Sequence, residues 1–210
     1  MHIWGFKKTP AYITAETMNL ARLYVAGRKE AFSDTLVRAL FDDIKRGAGG
    51  GTYYLDGRSV RKGDRDSKGY NYYAVGGAMD NSEIRIDASE FKSEEDVRAA
   101  IELLREVIVT LQEDSDDPVG IGFWFDGAGL CCFDASNIVV GERSPIALGQ
   151  HRNEETIYDL TDDKEIYLRD VQAAYVARAK KIETRERDRK RRTGYTSWQA
   201  YNIYRTRGKR

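Results

Sequence analysis

The chain has 210 residues, of which 41% are hydrophobic and 32% are charged, and this composition excludes a disordered or fibrous chain. No run approaches the roughly 20 apolar residues that span a bilayer, and the first residues lack the order of a secretory signal, so we expect a cytoplasmic protein without a membrane partner. Two histidines and two adjacent cysteines supply too few ligands for a zinc site, and no metal or cofactor is indicated.

The formal net charge of zero conceals a strong asymmetry along the chain. Residues 178–210 contain 13 Lys and Arg against three acids, whereas residues 1–177 contain 21 Lys and Arg against 31 acids. Residues 178–210 therefore carry a net charge of +10, and residues 1–177 carry a net charge of −10. A basic arm of this kind predicts an acidic partner, which is either a nucleic acid or the acidic body of the protein itself.

The first fifty residues have the period of amphipathic helices. The first helix is predicted between Thr14, a capping residue, and Gly27. One face of it holds three apolar residues: Met18, Ala21 and Val25. A second helix ends at Gly47, and its apolar residues recur at every fourth position: Phe32, Leu36, Leu40 and Ile44. We interpret residues 1–46 as an N-terminal helical hairpin, joined to the body through the flexible glycine-rich stretch at 47–51.

Residues 52–177 have the pattern of an α+β body. Tyrosine-rich and β-branched runs predict short strands at three places: 52–60, 70–77 and 83–86. A long amphipathic helix is predicted at 94–112, because Ser93 and Asp96 form a capping box and an apolar stripe follows. The stripe consists of Val97, Ala100, Ile101, Leu104, Ile108 and Leu111.

A β-hairpin is predicted after this helix, with strands at 121–125 and 130–134, and residues 137–140 extend the sheet. Ser144 and Pro145 are typical of the start of a short helix, and Asn153 of its end. Two further strands are expected: 155–160 and 165–168. Because strict alternation of strands and helices is missing, we expect a mainly antiparallel sheet packed on the long helix, in the α+β class.

Thirteen residues between positions 119 and 168 form a recognisable pattern: Gly122, Trp124, Asp126, Asp134, Ile138, Val139, Ala147, Gly149, Asn153, Ile157, Tyr158, Asp159 and Leu160. The pattern resembles small α+β proteins of actinobacteria and their phages, which have no assigned activity. The resemblance implies a phage or mobile-element origin, and a host-cytoplasmic location, without implying any particular chemistry.

Residues 178–210 hold the strongest functional signal. A basic helix is expected to leave the body near Arg185, with six cations at positions 185–192, and aromatic residues then recur at intervals of three. The candidate binding residues are Arg185, Arg187, Arg189, Lys190, Arg191, Arg192, Tyr195, Trp198, Tyr201, Tyr204, Arg205 and Arg207. Cations neutralise phosphates and aromatic rings stack on bases, so these residues predict a nonenzymatic protein that binds nucleic acid or a nucleoprotein. The same aromatic stripe would equally suit a groove on a protein partner or on the acidic body.

A second interpretation makes the acidic body the contacting surface. Acidic turns at 113–117 and 162–163 could imitate a phosphate backbone, as in an inhibitor of a host enzyme or defence system, or could contact other subunits in a virion or assembly intermediate. A cluster of cations at positions 58–68, close to several tyrosines, could in turn form a second surface for an anionic ligand.

A third interpretation is an enzyme with a carboxylate-centred site. Glu83, Asp87, Asp126 and Asp134 fall at strand ends and turns that a sheet could bring together, and oxygen ligands suit an ion of the magnesium type. No serine elbow, phosphate loop or dinucleotide fingerprint is present, and no substrate is indicated. The residues therefore favour a binding protein over an enzyme.

Overall fold

A computed structural model of the protein describes residues 10–26, 32–77, 82–141 and 143–193. The chain divides into two compact units, residues 1–168 and residues 169–210. The helices of the first unit are α1 (Ala15–Ala26), α2 (Asp34–Arg46), α3 (Glu94–Glu102), α4 (Arg105–Asp114) and α5 (Arg143–His151). Its strands are β1 (Ala11–Ile13), β2 (Gly50–Tyr54), β3 (Ser59–Val60), β4 (Tyr72–Gly76), β5 (Glu83–Asp87), β6 (Val119–Phe125), β7 (Leu130–Val140), β8 (Thr156–Asp159) and β9 (Lys164–Tyr167). The last helix, α6 (Leu168–Thr193), begins at the boundary of the two units.

The first two helices form where the sequence predicts them. The hydroxyl of Thr14 accepts a hydrogen bond from the N–H of Thr17 at 3.2 Å, while the predicted end at Gly27 lies outside the described residues. Ser33 caps α2 through a 3.1 Å bond from the N–H of Leu36, and Gly47 ends it in the left-handed conformation with φ of 64°.

The glycine-rich stretch at 47–51 leads from α2 directly into the sheet. Both α1 and α2 contact α3, and Gly50 already begins β2, which pairs along its length with β6. Residues 1–46 therefore belong to the same compact unit as the sheet, and that unit ends at Leu168. The apolar faces of α1 and α2 are buried against α3, and the segments 1–46, 52–177 and 178–210 remain a prediction.

The predicted long helix at 94–112 is divided into α3 and α4. The N–H of Leu103 bonds to the carbonyl of Ala100, and that of Leu104 to the carbonyl of Ile101, both at 3.1 Å. These bonds span three residues instead of four, so the helix tightens into one 3₁₀-like turn before α4 continues. The apolar stripe remains buried on both sides of the break.

The sheet is antiparallel except for β1, which runs parallel to β5. Its main strand order is β3-β2-β6-β7-β4-β8-β9, and β5 pairs with β7 beside this path. The long β7 pairs with β6 along one edge. On its other edge the first half pairs with β5 and the second half with β4.

Alternate residues of each strand point to opposite faces of the sheet. One face carries the apolar core, in which Ile121, Phe123 and Phe133 pack with residues of α1 to α4. A smaller core beside α5 contains Tyr73, Val75, Val139, Ile157 and Leu168. The opposite face, which we call the inner face, carries residues in register across the strands: Thr52, Gly122, Asp134 and Glu83.

The two ends of the strand order are joined by hydrogen bonds. The N–H of Gly63, after β3, donates to the carbonyl of Thr161 in the β8–β9 turn at 2.8 Å. The hydroxyl of Thr161 donates to the carbonyl of Asp64 at 2.7 Å and accepts from the N–H of Tyr72 at 2.9 Å. Because β3 and β8 stand far apart in the strand order, these bonds require the sheet to curl, and its inner face becomes a trough.

The helix α6 is 26 residues long, which corresponds to about 39 Å. Beyond Leu168 its described side chains are exposed except for Val171 and Glu186, which are half-buried. The compact body thus ends before the predicted departure near Arg185, since the apolar stripe of α6 is already exposed at Val176 and Ile182. None of the described helices has both the length and the apolar content needed to cross a membrane.

Candidate binding surfaces

The predicted binding residues of the C-terminal arm fall into three groups. Arg185 and Arg187 are exposed on α6, and Arg187 forms a 3.0 Å ion pair with Glu183 one turn earlier. Four more occupy the last turns of α6, where only the backbone is described: Arg189, Lys190, Arg191 and Arg192. The other six lie outside the described residues: Tyr195, Trp198, Tyr201, Tyr204, Arg205 and Arg207.

The described part of α6 presents its cations to solvent. Six of them are exposed: Arg169, Arg178, Lys180, Lys181, Arg185 and Arg187. Between residues 169 and 193 the sequence contains ten Lys and Arg against four acids. An exposed ion pair such as Arg187–Glu183 contributes only about 0–1 kcal/mol to stability. The excess of cations over acids leaves the helix strongly basic. This geometry suits contact with an anionic partner.

The acidic turns considered as a contacting surface are largely engaged within the body. Asp114 binds the guanidinium of Arg152 at 2.6 Å, and Asp117 accepts a 2.9 Å hydrogen bond from the hydroxyl of Ser115. Asp162 pairs with Lys164 at 2.9 Å, and Asp163 pairs with Lys62 at 3.2 Å. These carboxylates hold turns and strand ends together.

The cations at 58–68 are paired in a similar way. Arg58 binds Asp56 at 2.8 Å and stacks over the ring of Tyr54 at 4.7 Å, while Arg65 lies 3.6 Å from Asp162 and also bonds the side chain of Asn71. Arg58, Lys62 and Arg65 therefore hold the loop to neighbouring acidic residues. The loop therefore acts as a connection between the two ends of the sheet.

Three of the four predicted carboxylates come together on the inner face. Glu83 lies directly across from Asp134 in the β5–β7 pairing, and Arg85 contacts both Glu83 at 2.6 Å and Asp126 at 3.6 Å. The fourth, Asp87, instead caps the 3₁₀ helix at Ala88–Glu90 by accepting from the N–H of Ser89. Among the described residues, no group of three or more acids, histidines or cysteines is arranged to hold a metal ion.

The inner face forms a trough with a volume of about 1140 Å³. One wall carries Thr52, Val60 and Trp124 from β2, β3 and β6, and the opposite wall carries Thr156 and Tyr158 from β8. Its lining contains six carboxylates and three cations among the described residues: Asp43, Glu83, Asp134, Glu154, Asp163 and Glu165, with Arg46, Arg61 and Lys62.

Two glycines on the inner face leave room for carboxylates of neighbouring segments. Gly122 lies opposite Asp134, and a Cβ at this position would overlap the carboxylate of Asp134. Gly76 lies opposite Ser136, and a Cβ there would meet the carboxylate of Glu154 at 3.1 Å. Each carboxylate therefore occupies the space that a side chain on the neighbouring strand would fill.

The end of α5 brings Glu154 to the trough. Asn153 adopts the left-handed conformation with φ of 56°, and the N–H of Glu154 bonds back to the carbonyl of Gly149 at 2.8 Å. This is a Schellman ending, which reverses the chain direction at once. The predicted end at Asn153 is correct, whereas the helix begins at Arg143, one residue before the predicted cap at Ser144.

Arg152 anchors the same turn through long-range contacts that the sequence does not predict. Its buried guanidinium donates to Asp114, to the side chain of Asn137 at 2.7 Å and to the carbonyls of Val75 and Gly76 at 3.3 and 3.0 Å. The guanidinium thus connects α4, α5, β4 and β7. Its partners are far apart in sequence, so only the folded chain reveals the role of Arg152.

Tyr158 and Asp163 form one polar pair on the trough wall. The hydroxyl of Tyr158 donates to the carboxylate of Asp163 at 2.5 Å. Burial, together with this bond to a carboxylate, raises the pKa of Tyr158 to about 12, so the hydroxyl remains protonated at neutral pH. The bond from Tyr158 and the ammonium of Lys62 lower the pKa of Asp163, which stays ionised.

The adjacent cysteines are free and buried. Burial raises the pKa of Cys131 to about 12 and that of Cys132 to about 11. A nucleophilic cysteine needs an accessible thiolate. Because both thiols stay protonated at neutral pH, this pair is a part of the sheet rather than a nucleophilic site.

Comparison with known proteins finds no matching family model, no matching curated protein and no matching solved structure. The resemblance in residues 119–168 therefore remains a prediction.

Proposed function

We propose that this protein binds nucleic acid, alone or within a nucleoprotein, through the basic arm that comprises residues 178–210. The observation that carries the proposal is the exposure of successive cations along a continuous helix, from Arg178 to Arg187. A helix presenting cations on several faces follows a phosphate backbone without reading base sequence. We further propose that the protein is encoded by a phage or mobile element and acts in the host cytoplasm.

The segment after Gly194 adds the second component of the proposed interface. It contains four large aromatic residues and four cations, and no acids. Aromatic rings stack on unpaired bases with about 1–3 kcal/mol per base, largely independent of sequence. Single-stranded RNA or DNA is therefore the nucleic acid that this combination of residues suits best.

Binding of a fluorescent single-stranded oligonucleotide to matched charge variants tests the proposal. The arm variant replaces Lys180, Lys181, Arg185 and Arg187 by Gln, which preserves helix propensity. The control variant replaces four exposed cations of the first unit by Gln: Arg38, Lys45, Lys68 and Lys92. Both variants change the net charge equally, so a difference between them reports the location of the interface.

We expect the arm variant to lose at least about tenfold in affinity at low salt, and the control variant to lose less than about twofold. Replacing Trp198 and Tyr201 by Ala should also weaken binding while leaving its salt dependence nearly unchanged, because stacking releases no counterions. Equal losses in the two charge variants would contradict the proposal. Unchanged affinity in a chain that ends after Lys181 would also contradict it.

Capture from a host lysate separates nucleic acid from a protein partner. Under the proposal, macromolecules retained by the immobilised protein are released by nuclease, and the arm variant retains few of them. A stoichiometric protein that remains bound after nuclease treatment would instead support the acidic-bodied interaction module.

A further inference from the structure

The cations of α6 are distributed unevenly around the helix. Successive residues of an α-helix are about 100° apart around its axis, since one turn contains about 3.6 residues. With this rotation, residues 178–192 of α6 place seven Lys and Arg and one acid on one half of the circumference, which we call the cationic face. The other half, which we call the neutral face, holds two Lys and Arg and two acids. The cationic face therefore carries the whole net charge of this stretch.

The cationic face is accessible along the described side chains of the helix. Its first four cations are exposed: Arg178, Lys180, Lys181 and Arg185. Three more cations continue the same half of the helical backbone: Arg189, Arg191 and Arg192. Five of these seven residues follow one another at intervals of three or four, which places them in one row along the helix: 178, 181, 185, 189 and 192.

The neutral face combines its two cations with two carboxylates. Its residues are Glu183, Glu186, Arg187 and Lys190. Arg187 pairs with Glu183 at 3.0 Å, and both side chains remain largely exposed. Like charges that meet in an interface cost affinity, so carboxylates turned toward phosphates would oppose binding. This half of the helix is therefore the less favourable one for contact with a polyanion.

The cationic face matches a short run of one nucleic-acid strand in length and in charge. From residue 178 to residue 192 the helix rises about 21 Å. A strand with one phosphate for roughly each 3.4 Å presents about six phosphates over that distance. Seven cations and one acid balance such a run, and a single main row of cations suits one strand that lies along the helix.

We propose that α6 lies along a single strand of nucleic acid, with its cationic face on the phosphates and its neutral face turned away from them. This inference rests on the proposed function, to which it adds the orientation of the helix and the length of the contacted strand. The carboxylates of Glu183 and Glu186 then enforce the orientation, because any other rotation of the helix brings them closer to the phosphates.

Paired variants on the two faces of the same helix test the proposal. The cationic-face variant carries Lys181→Gln and Arg185→Gln, and the neutral-face variant carries Arg187→Gln and Lys190→Gln. Each removes two positive charges from the same stretch of α6, and Gln preserves helix propensity. Binding of the fluorescent single-stranded oligonucleotide is measured near 0.1 M salt, where the Debye length of about 10 Å is close to the diameter of a helix, so charges on the far face are largely screened.

We expect the cationic-face variant to lose about tenfold or more in affinity, and its salt dependence to become shallower by about 1.4, the equivalent of two phosphate contacts on a single strand. The neutral-face variant should lose less than about threefold, with a salt dependence shallower by less than about 0.5. Asp188→Asn removes the one acid of the cationic face and should strengthen binding by about two- to threefold, whereas Glu186→Gln should change it less. A gain in affinity of this kind cannot arise from a loss of folding.

The outcomes separate this inference from the proposed function. Equal losses in the two face variants, or a larger loss in the neutral-face variant, would overturn the orientation while leaving nucleic-acid binding by the arm intact. Equal gains from Asp188→Asn and Glu186→Gln would also overturn it. Unchanged affinity in the arm variant with four substitutions would refute the proposed function itself, and the orientation with it.

Discussion

Arg152, which directly follows α5, contacts residues of α4, β4 and β7 through its side chain. Its side chain is only 3% exposed, and it donates to one carboxylate, one amide and two backbone carbonyls. The planar guanidinium reaches these acceptors simultaneously, whereas an ammonium group could reach only some of them. A buried charge of this kind is favourable only while all its donors are satisfied.

Replacement of Arg152 by Ala should lower the free energy of unfolding by about 2–4 kcal/mol, because Asn137 and two carbonyls lose their donor. Arg152→Lys should recover part of this loss. Urea unfolding measures both effects, with Arg38→Ala as the control, since the Arg38–Glu94 pair is exposed and should contribute less than about 1 kcal/mol. Similar losses for Arg152→Ala and Arg38→Ala would refute the structural role of Arg152.

Asp96 makes the stability of the first unit dependent on pH. Burial by itself would raise the pKa of Asp96, but hydrogen bonds from Lys92 and Ser93 and the guanidinium of Arg22 outweigh it, so the pKa is lowered. The resulting stability is present above the unfolded-state pKa of about 3.9 and is lost as the pH falls through the lower folded-state pKa. Asp96→Asn should therefore lose less stability than the wild type between pH 7 and pH 3. An unchanged pH dependence in urea titrations would contradict this assignment.

At the scale of single residues, the sequence predicts contacts between side chains that are close together along the chain. Ser93 and Asp96 were expected to cap α3 together, and the N–H of Ser93 does donate to Asp96 at 2.7 Å. The bond from Arg22 to Asp96 could not be predicted, because it depends on how α1 packs against α3. Arg152 was missed for the same reason, since long-range polar contacts have no signature in a single sequence.

The ending of α5 determines where Glu154 points. Asn153 tolerates the left-handed conformation better than other non-glycine residues, whereas a β-branched residue there is strained by roughly 1–2 kcal/mol. Asn153→Val should lower the free energy of unfolding by about that amount, while Asn153→Gly should preserve it. Urea unfolding supplies the measurement. A neutral Asn153→Val variant would contradict the strain assigned to this turn.

The division of the predicted helix at 94–112 illustrates the limit of periodicity at the element scale. The apolar stripe continues from Ile101 to Leu104 and Ile108, so the pattern contains no sign of a break. Glu102 and Arg105 form an ion pair across the 3₁₀-like turn, and Glu102 is buried. The ion pair spans the break, and the buried face remains intact on both sides of it.

At the scale of the whole molecule, the curl of the sheet depends on Thr161. Its hydroxyl joins the loop after β3 to the start of β4, and the residue is 2% exposed. Thr161→Val preserves the shape of the side chain but leaves one donor and one acceptor without their partner, so it should cost about 1–3 kcal/mol. In the Thr161→Val variant, hydrogen exchange at the backbone amide of Tyr72 should become faster, relative to hydrogen exchange at the backbone amides of α3. Thr110→Val, at an exposed hydroxyl on α4, should change neither quantity.

The sequence indicated an α+β protein with a basic arm, and both features follow from composition and local pattern. The trough could not be predicted, because its walls come from β2, β6, β7 and β8 and depend on the register of each pair. Glu83 and Asp134 were grouped as neighbours in the third interpretation, an enzyme with a carboxylate-centred site, and they do lie opposite each other. Glu154 was not identified, since only the Schellman turn after Asn153 brings it over Gly76.

The salt dependence of single-stranded RNA binding tests the central claim most directly. For the wild type, the logarithm of the association constant should fall linearly with the logarithm of the salt concentration, with a slope near 0.7 for each phosphate contacted. The arm variant, which lacks the charges of Lys180, Lys181, Arg185 and Arg187, should show a slope that is shallower by about two to three. Identical slopes for the wild type and the arm variant would show that α6 does not contact the phosphates, and would contradict the account.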